Sequence, residues 1–154
     1  MADLHQYRIP AYKISLVRDG SVAVQRKQLR SSIDAVELFS AMLAGVDREH
    51  FLVAMLDQKN VVIGVNIVST GSLTASIVHP REVYKPAILS NAAAIICCHN
   101  HPSGAPQPSQ EDRALTTRLH DAGKLLGIAL LDHIIIGDGT GEMFSFANEG
   151  LLSN

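Results

Sequence analysis

No stretch of this sequence reaches the roughly 18 apolar residues of a membrane span, and the opening segment MADLHQYRIPAYK has no apolar core of signal-peptide length. A soluble, cytoplasmic protein with no membrane partner is expected. Cysteine is scarce: the only two, Cys97 and Cys98, are adjacent, so they form neither a disulfide framework nor a metal knuckle of the C-x-x-C kind. A reducing compartment fits them. An excess of one charge is missing too, with 18% charged residues and a formal net charge of −2. Nothing global marks a nucleic-acid or acidic-lipid partner. Arg26, Lys27 and Arg30 make a small basic cluster beside Gln25 and Gln28, without interleaved aromatics, and read as a solvated edge. There is no repeat, low-complexity tract or linker. What is present is a core: 154 residues with 47% hydrophobic side chains are enough for one ordinary globular domain.

Along the chain, residues 1–30 read as an N-terminal extension with an edge strand at Lys13–Arg18 before a turn at Asp19-Gly20, and residues 31–154 as the folded domain. Ile33, Val36, Leu38, Phe39, Met42 and Leu43 recur at helical spacing, which predicts a helix over 33–44 capped by Ser31 or Ser32 and stopped by Gly45. Phe51–Leu56 and Val61–Val68 predict an antiparallel strand pair. A helix over 80–90 with Pro80 in its first turn and a kink or break at Pro86 follows, then a doubly covered strand over 92–98. The segment from His99 to Pro108, with three prolines and a glycine, reads as a loop. Ser109 caps a helix over 110–126, strands follow at 128–136 and 142–146, and the tail is expected to add a short helix. Strands and helices are mixed rather than strictly alternating, so a three-layer α/β domain with a mixed sheet and flanking helices is expected.

The most informative local feature is a buried-type strand running into His99-Asn100-His101. Residues two apart on an extended segment share a side, so both imidazoles can face one point. Asp112, at the start of the following helix, offers a third ligand, and two histidines with a carboxylate and one open position describe a catalytic zinc site. Hydrolysis there needs a base that does not bind the metal, and Glu49 is the candidate. Ser109 either caps the helix or donates to the oxyanion of a tetrahedral intermediate. Taken singly each residue has a plainer reading: surface histidines, a first-turn helix carboxylate, and a solvated acid in the run Asp47-Arg48-Glu49. Asp132 and His133 lie inside an apolar strand, where a buried hydrogen-bonded pair is favoured, with support of the ligands as a further role. His79, Arg81 and Glu82 read as helix-start capping and an exposed ion pair at least as readily as substrate contacts.

The set resembles the JAMM, or MPN-plus, metalloproteases, whose signature is an upstream Glu, H-[ST]-H-P, six residues, Ser, two residues and Asp. Here the run is His99-Asn100-His101-Pro102, six residues to Pro108, Ser109, two residues and Asp112, with Glu49 upstream. Asn100 departs from Ser or Thr and points to the RadC branch, which reads HNHPSG. Gly71-Ser72-Leu73, Val78-His79-Pro80-Arg81-Glu82-Val83, Leu131-Asp132-His133-Ile134-Ile135 and Gly137-Asp138 are similar to that branch as well. The resemblance covers about residues 33–150 and implies a JAB/MPN fold related to cytidine deaminases. It implies one Zn2+ held by His99, His101 and Asp112, and hydrolysis of an amide or isopeptide bond in a peptide or protein substrate. Glu49 would be the base and Ser109 the oxyanion support. RadC-like proteins usually carry an N-terminal helix-hairpin-helix domain, for which these residues are expected to hold no room, so a DNA-repair role transfers poorly. The alternatives are a non-catalytic binding or scaffold module and a DNA-repair accessory protein. Substrate choice is expected to come from the loop Ser69–Val78 and an adjacent strand edge, which would also allow a homodimer.

Overall fold

The structure, a computed structural model, describes residues 7–71 and 78–152. In chain order its elements are α1 (Ser32–Leu43), β1 (His50–Leu56), β2 (Val62–Thr70), α2 (Pro80–Leu89), β3 (Ala94–His101), α3 (Gln110–Leu126), β4 (Ala129–Gly137) and β5 (Met143–Ser145). The strands form one sheet in the order β2-β1-β3-β4-β5. Every neighbouring pair is antiparallel except β3 and β4, which run parallel because α3 carries the chain back between them. This is the mixed, three-layer α/β architecture expected from the sequence.

Strand alternation divides the core between the two faces. Phe51, Val53 and Met55 of β1 join Ile95 and Cys97 of β3 under α2 and α3, where Val83, Ala87, Leu115 and Leu119 pack on them. Leu52, Ala54 and Leu56 join Ala94, Ile96 and Cys98 under Ala35, Leu38, Phe39 and Leu43 of α1. Each fully buried Leu, Ile or Phe contributes about 1.5–3 kcal/mol before entropy is counted. The odd-numbered residues of β3 therefore look towards α3, and that parity carries over to His99 and His101.

Helix α1 starts where Ser31 accepts the Asp34 N–H, and Asp34 in turn accepts the Arg30 N–H and pairs with Arg26. Arg26 is thus engaged in local structure, and so is Arg30, whose guanidinium bonds the Gln28 side chain.

Four expectations change. The strand expected at Lys13–Arg18 is not formed; among the described residues the N-terminal segment meets the sheet around the Gln28–Val61 bridge, and Tyr12, Ile14 and Val17 stay exposed. A hairpin alone buries too little to hold itself. Pro86 does not interrupt α2; it sits inside the helix, which runs on to Leu89, and is buried. The segment taken as loop from His99 begins as strand, because β1 and β4 extend far enough to pair with it: Phe51 with His99, and Gly137 with His101. The prolines act only from Pro102 onward. The tail is turn rather than helix through Gly150, and no helix forms up to Leu152. No helix among the described residues is long and apolar enough to cross a membrane.

Candidate metal centre

The C-terminal ends of β3 and β4 and the N-terminus of α3 meet at one point. Between them runs the Pro102–Pro108 loop, folded tightly back: Gly104 takes φ +84° and its carbonyl lies against Gly137, where a β-carbon would collide with it. Thr140 donates to the Gly104 carbonyl and fixes the approach. This return delivers Ser109 and Asp112 to the strand end.

Ser109 and Asp112 form a capping box. The Ser109 side chain accepts the Asp112 N–H at 3.1 Å, and Asp112 Oδ2 accepts the Ser109 N–H at 2.8 Å. Asp112 is both helix cap and site residue, since Oδ1 lies 3.2 Å from His99 Nε2 and Oδ2 lies 3.4 Å from His101 Nε2. The two Nε2 atoms are 3.0 Å apart. Ligands at 2.0–2.1 Å from a tetrahedral zinc stand about 3.3 Å from one another, so these separations suit a single ion.

Hydrogen bonding decides which ring nitrogens are free. Thr116 has one hydroxyl hydrogen and donates it to the Asp112 carbonyl at 2.6 Å. Its 2.7 Å contact with His133 Nδ1 must then be donated by His133. Burial holds His133 far below its ordinary pKa, so the ring is neutral, with one N–H, and its Nε2 is an acceptor. The 2.8 Å bond from His99 Nδ1 to that atom is donated by His99. Likewise His101 Nδ1 faces the Ala105 carbonyl at 2.8 Å and can only donate to it. Both Nε2 lone pairs consequently point at each other and at a carboxylate, an arrangement that calls for a cation or a proton between them.

The electrostatics agree. The bond to Asp112 raises His101 above its usual pKa, against burial and with a smaller contribution from Glu49. Burial pushes Asp112 upward, yet the bonds from His101 and His99 more than offset it and hold the carboxyl well below the carboxylate range. A divalent ion would take the place of the proton, and its affinity falls with pH as the imidazoles charge.

Phe51 stacks on His99 with ring centroids 5.9 Å apart and supplies an apolar wall. Glu49 immediately precedes β1, two residues before Phe51, whose strand partner is His99. It is half-buried and feels His101 electrostatically.

The structure thus brings together His99, His101 and Asp112, with Ser109 hydrogen-bonded to Asp112 and Glu49 at the rim. Cys97 and Cys98 face opposite cores, burial raises both thiols, and neither joins the cluster. His79 caps α2 by accepting the Arg81 N–H, while Glu82 pairs with Arg81 and Lys85 at the surface. Asp132 and His133 are both buried but not as a pair. Asp132 accepts from Ser145 and the Ala147 N–H, and His133 turns to the histidines. Of the loop Ser69–Val78, residues 72–77 lie outside the described residues. Thr116 escaped the sequence reading, although its place one helical turn after Asp112 puts it on the same face.

Thr116→Val keeps the shape and removes the hydroxyl that orients His133. Losing a hydrogen-bond partner behind a ligand costs about 10–100-fold in metal affinity. A chelator-competition titration is expected to show a loss in that range, and an unchanged affinity would remove Thr116 and His133 from the account.

A mixed α/β sheet carries, at the end of β3 and the start of α3, a His-His-Asp group of the kind that can hold a metal ion. The RadC-like JAB domain family matches residues 29–151, and the chain belongs to that family. It is similar to UPF0758 protein CA_C1241 of Clostridium acetobutylicum, 53% identical over 81% of this chain and 54% of that protein. A UPF0758 protein of Rubrobacter xylanophilus is 45% identical over 90% of this chain and 61% of its own length. UPF0758 protein ABC2615 of Shouchella clausii is 54% identical over 74% of this chain and 50% of its own. The chain spans about half the length of the curated relatives it matches.

Proposed function

We propose that this domain is a zinc-dependent hydrolase of the JAMM type, cleaving an amide or isopeptide bond in a peptide or protein. The observation that carries it is the convergence of two hydrogen-free Nε2 atoms and a carboxylate. Among the described residues the group offers three protein ligands, and three rather than four is the mark of a catalytic site. When bound, zinc supplies a Lewis acid that polarises a carbonyl and makes water acidic.

The remaining work falls to the chain. Glu49 takes the proton of the attacking water and returns it to the leaving nitrogen. Ser109 uses its oxygen to cap α3 and has its hydrogen for the developing oxyanion. Phe51 and the buried His133 limit water behind the ligands. Strand β2 is the outer strand on this side, with Ile63 and Ile67 exposed, and an extended peptide can pair along it towards Thr70. The same edge would serve a homodimer. The two free, buried cysteines suit the reducing cytoplasm. With a net charge of −2, no nucleic-acid partner is proposed.

Chelator-stripped protein and the same protein reloaded with zinc are to be compared on a peptide and isopeptide library by mass spectrometry. Cleavage only in the reloaded sample is expected. Equal cleavage by both would place the activity elsewhere.

A further inference from the structure

Asn100 lies between His99 and His101 yet points to the opposite side of the sheet, is wholly buried, and makes three of the four hydrogen bonds its amide can form. Its Oδ1 accepts the His50 N–H at 2.7 Å. Its Nδ2 donates one hydrogen to the Arg48 carbonyl at 3.1 Å and the other to Asp138 Oδ2 at 2.8 Å. The amide cannot be reversed, because its oxygen would then face a carbonyl and a carboxylate while its NH2 faced an N–H.

Arg48 and His50 flank Glu49. The ladder between β1 and β3 ends at the pair Phe51 and His99, and beyond it the Asn100 side chain does what a backbone partner would do, with an acceptor for one peptide and a donor for the next. The Glu49 carbonyl is held separately, accepting the Gly71 N–H at 2.8 Å. The clamp is anchored at its far end. Asp138 follows β4 directly, and its own N–H donates to the His101 carbonyl at 3.0 Å. One side chain therefore locks the start of β1 to the ends of β3 and β4.

We infer that Asn100 is the positioning residue for Glu49, fixing the backbone on both sides of it so that its carboxylate faces the ion held by His99, His101 and Asp112. The inference rests on the proposed role of Glu49. It also gives a physical reason for asparagine between the histidines. A serine or threonine hydroxyl has one hydrogen and a shorter reach, so it can make at most one of the two donated bonds. Asn100 touches no ligand nitrogen, and removing it leaves the three donors in place.

Cobalt(II) is the probe, because its visible spectrum reports the surroundings of the ion without any substrate. Wild type, Glu49→Gln, Asn100→Ala and the double variant Asn100→Asp, Asp138→Asn are loaded with cobalt(II). The double variant exchanges amide and carboxylate at equal charge and shape. It keeps the 100–138 hydrogen bond and the acceptor for His50, but sets a carboxylate oxygen where the donor to the Arg48 carbonyl stood, and circular dichroism checks that each variant is folded. Glu49→Gln is expected to alter the wild-type spectrum. Asn100→Ala and the double variant are expected to give the same alteration, with cobalt affinity reduced by less than the roughly tenfold that loss of a ligand's own hydrogen-bond partner costs. A wild-type spectrum in the double variant, with Glu49→Gln altered, overturns the clamp and leaves the role of Glu49 standing. A wild-type spectrum in Glu49→Gln overturns both.

Discussion

Glu49→Gln is expected to keep its zinc and lose hydrolysis by about 10²–10⁴-fold, the usual worth of a general base. The substitution conserves size and hydrogen-bonding reach, but an amide cannot accept the proton of an attacking water at neutral pH. The metal should stay because Glu49 stands outside the group of donors that lie within 4.8 Å of one another. The fold should stay as well, since the Arg48 and His50 peptides flanking Glu49 are held by Asn100 and its own carbonyl by Gly71, all independent of the carboxylate. The comparison is of turnover by zinc-loaded wild type and variant on whichever library member is cut. Equal rates would leave Glu49 a surface acid.

The second large effect is loss of the ion itself in His101→Ala. His101 closes β3, is partly exposed and carries little core weight, so its removal takes one of three ligands without opening a cavity. Asp112→Ala is less clean: it also destroys the capping box of α3, worth about 0.5–2 kcal/mol, and mixes a folding effect with a binding one. Protein prepared without a nickel tag is expected to hold about one zinc per chain in the wild type, as a three-ligand catalytic site does, and close to none in His101→Ala. Retention should also fall as pH falls. The bond from Asp112 raises the His101 pKa, so the proton begins to compete with the metal at a higher pH than for a free imidazole. Wild type and variant with the same zinc content would show that His101 is not a ligand.

The layered fold, the long helix α3 and the grouping of His99, His101 and Asp112 were legible in the sequence, because each follows from local spacing. Two histidines two apart share a strand face whatever the rest of the chain does, and Ser109 with Asp112 is a cap signal at fixed separation. What spacing cannot give is the contact across elements. Phe51 stacking on His99 follows from β1 pairing beside β3, and Thr116 orienting His133 from α3 packing on the sheet over β4. The hydrogen bonds of Asn100 were hidden for the same reason: its partners lie 50, 52 and 38 residues away. The N-terminal alternation misled because it is a sound strand pattern without a neighbour. His99 and His101 were placed in a loop because the prolines after them are conspicuous, while strand pairing up to Gly137 is a tertiary fact.

The most direct measurement is anomalous diffraction across the zinc edge from crystals of the wild-type protein. One peak is expected, bonded to His99 Nε2, His101 Nε2 and the Asp112 carboxylate. The tautomers fixed by His133 and the Ala105 carbonyl require those nitrogens and not Nδ1. No peak in zinc-supplemented crystals, or a peak away from these three atoms, would contradict the account at its centre.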